Sequence, residues 1–152
     1  VGSMHADGWK AELAYDYIND HPELLDGLDA IMCGNDGIAT STVRALAEKR
    51  LASKIRIVGQ DAELEACQRI VEGTQLMTVY KPVEKQAQAA AVYACGLARG
   101  EGISTDRTEY DGTYNVPAVV LEPIAVNADN MQEVIINSGF HLKEEVYLNV
   151  RD

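Results

Sequence analysis

No apolar run in this 152-residue chain approaches the roughly 20 residues that a membrane-spanning helix needs. The longest apolar regions, around Ile31-Met32-Cys33, Ala89–Val92 and Val119–Leu121, are far shorter. Basic residues are also scarce: 13 Lys and Arg stand against 24 Asp and Glu, a formal charge of −11. No run of Lys or Arg is available to line a phosphate backbone, so nucleic acid is not an expected partner, and the acidity speaks for solubility. Cysteine is sparse and odd in number. Cys33, Cys67 and Cys95 show neither CxxC nor Cys/His spacing, so they read as buried small hydrophobes. The three histidines, His5, His21 and His141, are scattered, with no cysteine or acid at ligand spacing. Ser41 is not in a GxSxG elbow, and neither a GxGxxG nor a Walker string occurs. Catalysis, a metal site and a bound cofactor therefore have no support in the sequence, and none is expected.

What is present is a globular composition, 47% hydrophobic and 24% charged, suited to one compact domain or a piece of a two-domain protein. Val1-Gly2-Ser3-Met4 reads as a cloning scar, and no signal peptide follows it. Leu13, Ala14, Tyr17 and Ile18 recur at helical spacing, which predicts a helix from about Trp9 to Asp20 with Asp7 as its cap. His21-Pro22 ends it, because the residue before proline avoids helical geometry. Leu28 to Cys33 reads as a buried strand running into the polar turn Gly34-Asn35-Asp36-Gly37. A helix over 37–49, a strand over 54–58 with the exit loop Gly59-Gln60-Asp61, a helix over 62–72 and an extended stretch over 77–80 follow. Two strand-loop-helix units at this spacing argue for a parallel sheet with right-handed crossovers, whose ligands bind at the carboxyl ends of the strands.

Pro82, at a first helical position, opens an alanine-rich helix to about Arg99, closed by Gly100 and Gly102. Residues 103–115 are polar and read as a surface loop. Residues 116–126 are extended but carry Pro117 and Pro123, which suits an edge strand or a crossover. A short helix over 130–137 precedes Gly139-Phe140-His141.

Five segments carry a family resemblance: Asp7-Gly8-Trp9, Gly34-Asn35-Asp36, Gly59-Gln60-Asp61-Ala62-Glu63, the run Gly73-Thr74-Gln75-Leu76-Met77-Thr78-Val79-Tyr80-Lys81-Pro82, and Asn137-Ser138-Gly139-Phe140-His141. In order and spacing they resemble the C-terminal half of type I periplasmic sugar-binding proteins, nearest the D-xylose-binding branch. The resemblance covers residues 5–147. It implies an α/β, Rossmann-like parallel-sheet lobe in a piece lacking most of the N-terminal lobe. Residues 5–77 would belong to the C-terminal lobe, 78–115 to a hinge crossing with an N-terminal-lobe helix and loop, and 116–152 to a return crossing and tail. The implied function is non-catalytic capture of xylose or a related sugar outside the cytoplasm, in the periplasm or on a cell-surface lipoprotein. The implied partners are an ABC transporter permease or a sensor kinase. Only part of the sugar site is expected here.

A pyranose offers hydroxyl groups that donate and accept, and apolar C–H faces. Four residues suit it: Asp61 to accept from hydroxyls, Asn35 to donate and accept, Lys81 to donate, and Trp9 to stack. Each has a plainer reading. Asn35 and Asp61 are alternatives for capping the helices that follow them, although Asp36 is available for the first cap; Lys81 suits a solvated lysine, and Trp9 a packed anchor for the first helix. A competing function is a half-domain interaction module that binds no sugar alone. It would need a separate N-terminal segment or self-association to cover the alanine face. A repressor effector domain shares the fold but lacks the xylose-type strings.

Overall fold

The computed structural model describes residues 2–150. The chain divides into two compact units: one runs to Tyr80 and resumes at Ile124, and the other spans Lys81–Pro123.

In the first unit, strand β1 (Ala30–Met32) pairs in parallel with β2 (Arg56–Val58), setting Ile31 opposite Ile57. Helix α1 (Glu12–Asp20) precedes them, and α2 (Asp36–Glu48) makes the crossover. The parallel pairing extends through a Val58–Met77 bridge towards β3 (Thr78–Tyr80), which pairs antiparallel with β6 (Ile124–Val126). Helix α3 (Leu64–Val71) links β2 to β3, and α5 (Lys143–Val146) closes the described chain.

The helical period decides which face of α2 turns inward. Ile38, Ala39, Thr42, Ala45 and Leu46 are buried at i, i+3 and i+4 spacing. Its end is a Schellman-type turn: Arg50 takes a left-handed φ of 57°, its N–H bonds to the Ala47 carbonyl at 2.9 Å, and that of Leu51 to Leu46 at 2.8 Å. Around α1, α2, β1 and β2 the core gathers Ala14, Ile18, Ile38, Leu46, Ile55 and Ile57. A second cluster joins Cys67, Tyr80, Val126, Met131, Ile135 and Val146. Leu46 and Ile135 are wholly buried, each stabilising the fold by about 1.5–3 kcal/mol by area removed from water.

The second unit consists of α4 (Val83–Ala98) and a hairpin of β4 (Arg107–Tyr110) and β5 (Asn115–Ala118). No residue of α4 is buried, and Val92 and Leu97 are exposed. A groove in this unit is lined by Tyr93, Leu97, Ile103, Pro117, Val119 and Leu121 among others.

Several expectations are corrected. The first helix starts at Glu12, because Gly8 and Trp9 take left-handed φ values of 64° and 60° that a right-handed helix cannot continue through; Asp7 instead opens a short 3-10 turn and caps nothing. The 103–115 loop contains β4 and the tip of a hairpin, whose turn is fixed by Asp111 accepting the N–H groups of Thr113 and Tyr114, each at 2.7 Å. The stretch over 116–126 is divided between β5 and β6. The helix over 130–137 is present but more loosely wound, Asn137 N–H reaching back five residues to Gln132 at 2.9 Å. Pro82 takes the position just before α4 rather than its first turn.

Cys33 and Cys67 are buried as expected, while Cys95 is exposed on α4. The correction has a simple cause: α4 is apolar around much of its circumference and has no buried side. Burial pushes the Cys33 thiol up and the Cys67 thiol up to about 12, which suppresses thiolate formation. One equivalent of maleimide or a chromogenic disulfide is therefore expected to react with the native chain, at Cys95, and three after denaturation. Rapid labelling of Cys33 or Cys67 in the folded chain contradicts the two-cluster core.

Candidate functional site

The polar loops leaving β1 and β2 meet at the carboxyl edge of this parallel pair, the edge where open α/β sheets bind ligands. Asp36 N–H donates to the Gln60 carbonyl at 2.8 Å, and the Gln60 side chain returns a bond to the Gly34 carbonyl at 3.3 Å. A side chain on Gly34 would come within 3.1 Å of the Trp9 ring, so the indole lies directly over this loop. Trp9, Asn35 and the loop bearing Asp61 are thereby gathered at one edge. Lys81 is half-buried at the start of the second unit.

Trp9 is 64% exposed, which removes the packed-anchor reading. Asn35 has extended backbone and its Oδ1 accepts the Ile38 N–H at 2.9 Å, so Asn35 is the cap of α2. The expectation that Asp36 would do the capping is corrected: α2 begins one residue earlier than the sequence suggested, and that turns Asp36 inward. The Asn35 Nδ2 amide, the part of the side chain that donates, is not used by the cap. Glu63, two residues after Asp61, occupies the position that precedes α3.

The residue that sequence reasoning missed is Asp36, which is wholly buried. Its Oδ1 accepts from Gln75 Nε2 at 2.9 Å; its Oδ2 accepts from the Thr78 hydroxyl at 2.6 Å and from Glu63 N–H at 3.1 Å. Such charge-assisted bonds satisfy a group that would be costly to bury alone. Gln75 in turn accepts from Arg69 Nε at 3.0 Å, while Arg69 Nη2 is buried with no hydrogen-bond partner. Gly59 is forced by the same packing: a Cβ there would fall 2.1 Å from Asp36 Oδ1. The available signal was an acid after β1, a glycine after β2, Gln75 ahead of β3 and Thr78 at its first position. Nothing in their spacing joins them.

Asp61 and Ala62 both have left-handed backbone, φ 104° and 55°. For residues with a Cβ this is strained, and such strain concentrates where function requires a fixed geometry. Glu63 borders the loop, and its carboxyl is raised above the ordinary value of 4.5 by partial desolvation and by the carboxylates of Asp36, Asp61 and Glu65. The edge therefore presents acceptors, an amide and an aromatic face, without a nucleophile–base pair. Among the described residues no group of three or more His, Cys, Asp and Glu could hold a metal, and no helix is long and apolar enough to cross a membrane. His141 packs on Phe140 and its Nε2 lies 2.8 Å from the Ala62 carbonyl, a packing role.

Residues 1–102 match the family described as Periplasmic binding protein domain. The chain is 42% identical to a D-xylose-binding periplasmic protein of Haemophilus influenzae, over 97% of this chain and 45% of that protein. It is 37% identical to a D-xylose-binding periplasmic protein of Escherichia coli, over 96% and 44% respectively. It therefore spans about 45% of the length of these relatives. Among solved structures, an ABC transporter solute-binding protein from Clostridium phytofermentans with bound beta-D-glucose superposes with a TM-score of 0.80 at 25% identity, covering 95% of this chain and 48% of that one. A carbohydrate transporter solute-binding protein from Chloroflexus aurantiacus in complex with D-glucose has the same fold, with a TM-score of 0.81 at 24% identity over 94% of this chain and 46% of that one.

Two outcomes follow from the site's geometry. Asn35→Ala is expected to lower stability by about 1 kcal/mol through loss of the cap, with Asn35→Asp restoring most of it, as read by urea unfolding. Because folding raises the Glu63 pKa, the folded chain holds more protons than the unfolded one above pH 4.5, and stability falls as pH rises through that window. Glu63→Gln is accordingly expected to raise the melting midpoint at neutral pH and to match the parent chain below the ordinary carboxylate range. An equal gain at every pH contradicts the assignment.

Proposed function

Because this chain belongs to the periplasmic binding protein domain family, we propose that it takes part in non-catalytic recognition of a small, xylose-like monosaccharide. The observation that carries the reading is the gathering of Trp9, Asn35 and the Asp61 loop at the carboxyl edge of a parallel strand pair, in a chain 42% identical to a D-xylose-binding protein.

In this reading the Asp61 carboxylate accepts from two sugar hydroxyls, and the Asn35 amide donates to one. The exposed Trp9 ring covers an apolar C–H face. Strain at Asp61 favours it, since a preset carboxylate loses little freedom when the sugar arrives. No bond is made or broken, so the protein is not an enzyme. The wider role is delivery of the sugar to an ABC transporter or a sensor, in an extracytoplasmic compartment, with closure of two lobes as the signal.

The second reading, an interaction module that binds sugar only with a complementary N-terminal lobe or a second copy, is favoured by one observation. Helix α4 has no buried residue and stands beside an apolar groove within its own unit.

Calorimetric titration with D-xylose separates the two. Saturable heat is expected from this chain, with Asp61→Ala lowering affinity about 10- to 150-fold, the loss of a charge-assisted hydrogen bond of about 1.5–3 kcal/mol. Trp9→Ala is expected to weaken binding as well. No heat from the chain alone, restored by adding the N-terminal lobe of a D-xylose-binding relative, overturns autonomous binding in favour of the second reading.

A further inference from the structure

We propose that Asp36 and Thr78 act together as a positioning pair, holding Asp61 and Ala62 in their left-handed conformation and so setting the strength of sugar binding. The inference rests on the sugar-binding reading of Asp61.

The argument begins with the strain. Two adjacent residues with side chains, at φ 104° and 55°, keep such conformations only where the surroundings over-determine them. Here three consecutive backbone N–H groups are each claimed. Asp61 N–H donates to the Val79 carbonyl at 2.9 Å, Ala62 N–H to Thr78 Oγ1 at 3.1 Å, and Glu63 N–H to Asp36 Oδ2 at 3.1 Å. The loop is therefore pinned to β3 at two points and to the start of α2 at a third.

Thr78 is the relay. Its oxygen accepts from Ala62, and its single proton goes to Asp36 Oδ2 at 2.6 Å. Both groups are wholly buried, so water does not substitute for either partner. A carboxylate is suited to this position because its Oδ2 accepts from two donors while its Oδ1 serves Gln75. An amide of the same shape has one accepting oxygen, and must leave either the Thr78 and Glu63 donors or the Gln75 donor facing an NH2 group. Gln75 cannot simply turn over, because its Oε1 already accepts from Arg69 Nε at 3.0 Å. Beside the carboxylate, Gly59 leaves room that a side chain would take: a Cβ would meet Asp36 Oδ1 at 2.1 Å and Gln75 Nε2 at 3.1 Å. The residues that fix the loop are thus distinct from those that face the ligand.

The test uses the whole chain with Thr78→Val, Thr78→Ser and Asp36→Asn, and Ile18→Val as a control in the other core cluster. Two quantities are read: the backbone 13C and 15N shifts of Asp61 and Ala62, and the D-xylose affinity. Thr78→Val is expected to move the Asp61 and Ala62 shifts and to lower affinity at least tenfold. Thr78→Ser restores both, and Ile18→Val lowers the melting midpoint while leaving both unchanged. If Thr78→Val does not fold, Asp36→Asn is read the same way, with shifted loop signals and weaker binding expected. The proposal is overturned if folded Thr78→Val or Asp36→Asn keeps parental shifts at Asp61 and Ala62, or if affinity stays within twofold of a parent that binds. If the parent does not bind D-xylose, autonomous binding fails on that titration alone, and the shifts still decide whether the pair holds the loop.

Discussion

A single buried carboxylate organises the first unit. Asp36 sits in the first turn of α2, where unpaired N–H groups favour negative charge. Three of the chain's segments reach it: the loop leaving β2 through Glu63, β3 through Thr78, and the segment before β3 through Gln75. A charge without those bonds would be strongly disfavoured in this interior, so the segments and the carboxylate stabilise one another. The parallel pairing of β1 with β2 and its continuation to β3 bring these segments within reach.

Much of this architecture was legible in the amino-acid order. Helical spacing of apolar residues marks α2 to within one residue of its start, although of Ala39, Val43, Leu46 and Ala47, which share one face by that spacing, only Ala39 and Leu46 are buried, and short apolar runs ending in glycine mark β1 and β2. Periodicity locates α2 because one of its faces is dry and the other wet, whereas β1, expected to be a buried strand, has Ala30 and Met32 exposed. It fails for β4, whose residues are exposed on both sides, so no alternation betrays the strand. It fails again for α4, where Val92, Tyr93 and Leu97 carry the apolar surface beyond the alanine face, so nothing in the pattern shows that Cys95 is exposed.

The loops that meet at the carboxyl edge were legible in the amino-acid order, but the roles of neighbouring residues within them were not. Trp9, Asn35 and Asp61 have the residue types that suit a sugar: an aromatic face, an amide and an acceptor. Asn35 and Asp36 are neighbours of nearly the same chemistry, and a one-residue difference in where α2 begins exchanges their directions. The helix starts at Asp36, so Asn35 caps and Asp36 points inward. The links from Asp36 to Gln75 and Thr78 cross 39 and 42 positions of sequence. No local pattern encodes bonds over that distance; they exist only once the strands have assembled.

The indole at position 9 gives the chain an optical property of its own. It is the only tryptophan, it stands largely in solvent, and it lies against Gly34 at the edge where the two loops meet. Excitation at the red edge of the protein band therefore reports one place rather than an average over several, and that place is the rim. An indole this exposed is expected to emit as a hydrated one. Whatever settles on that rim and displaces its water registers as a blue shift, so the protein needs no attached dye to signal occupancy.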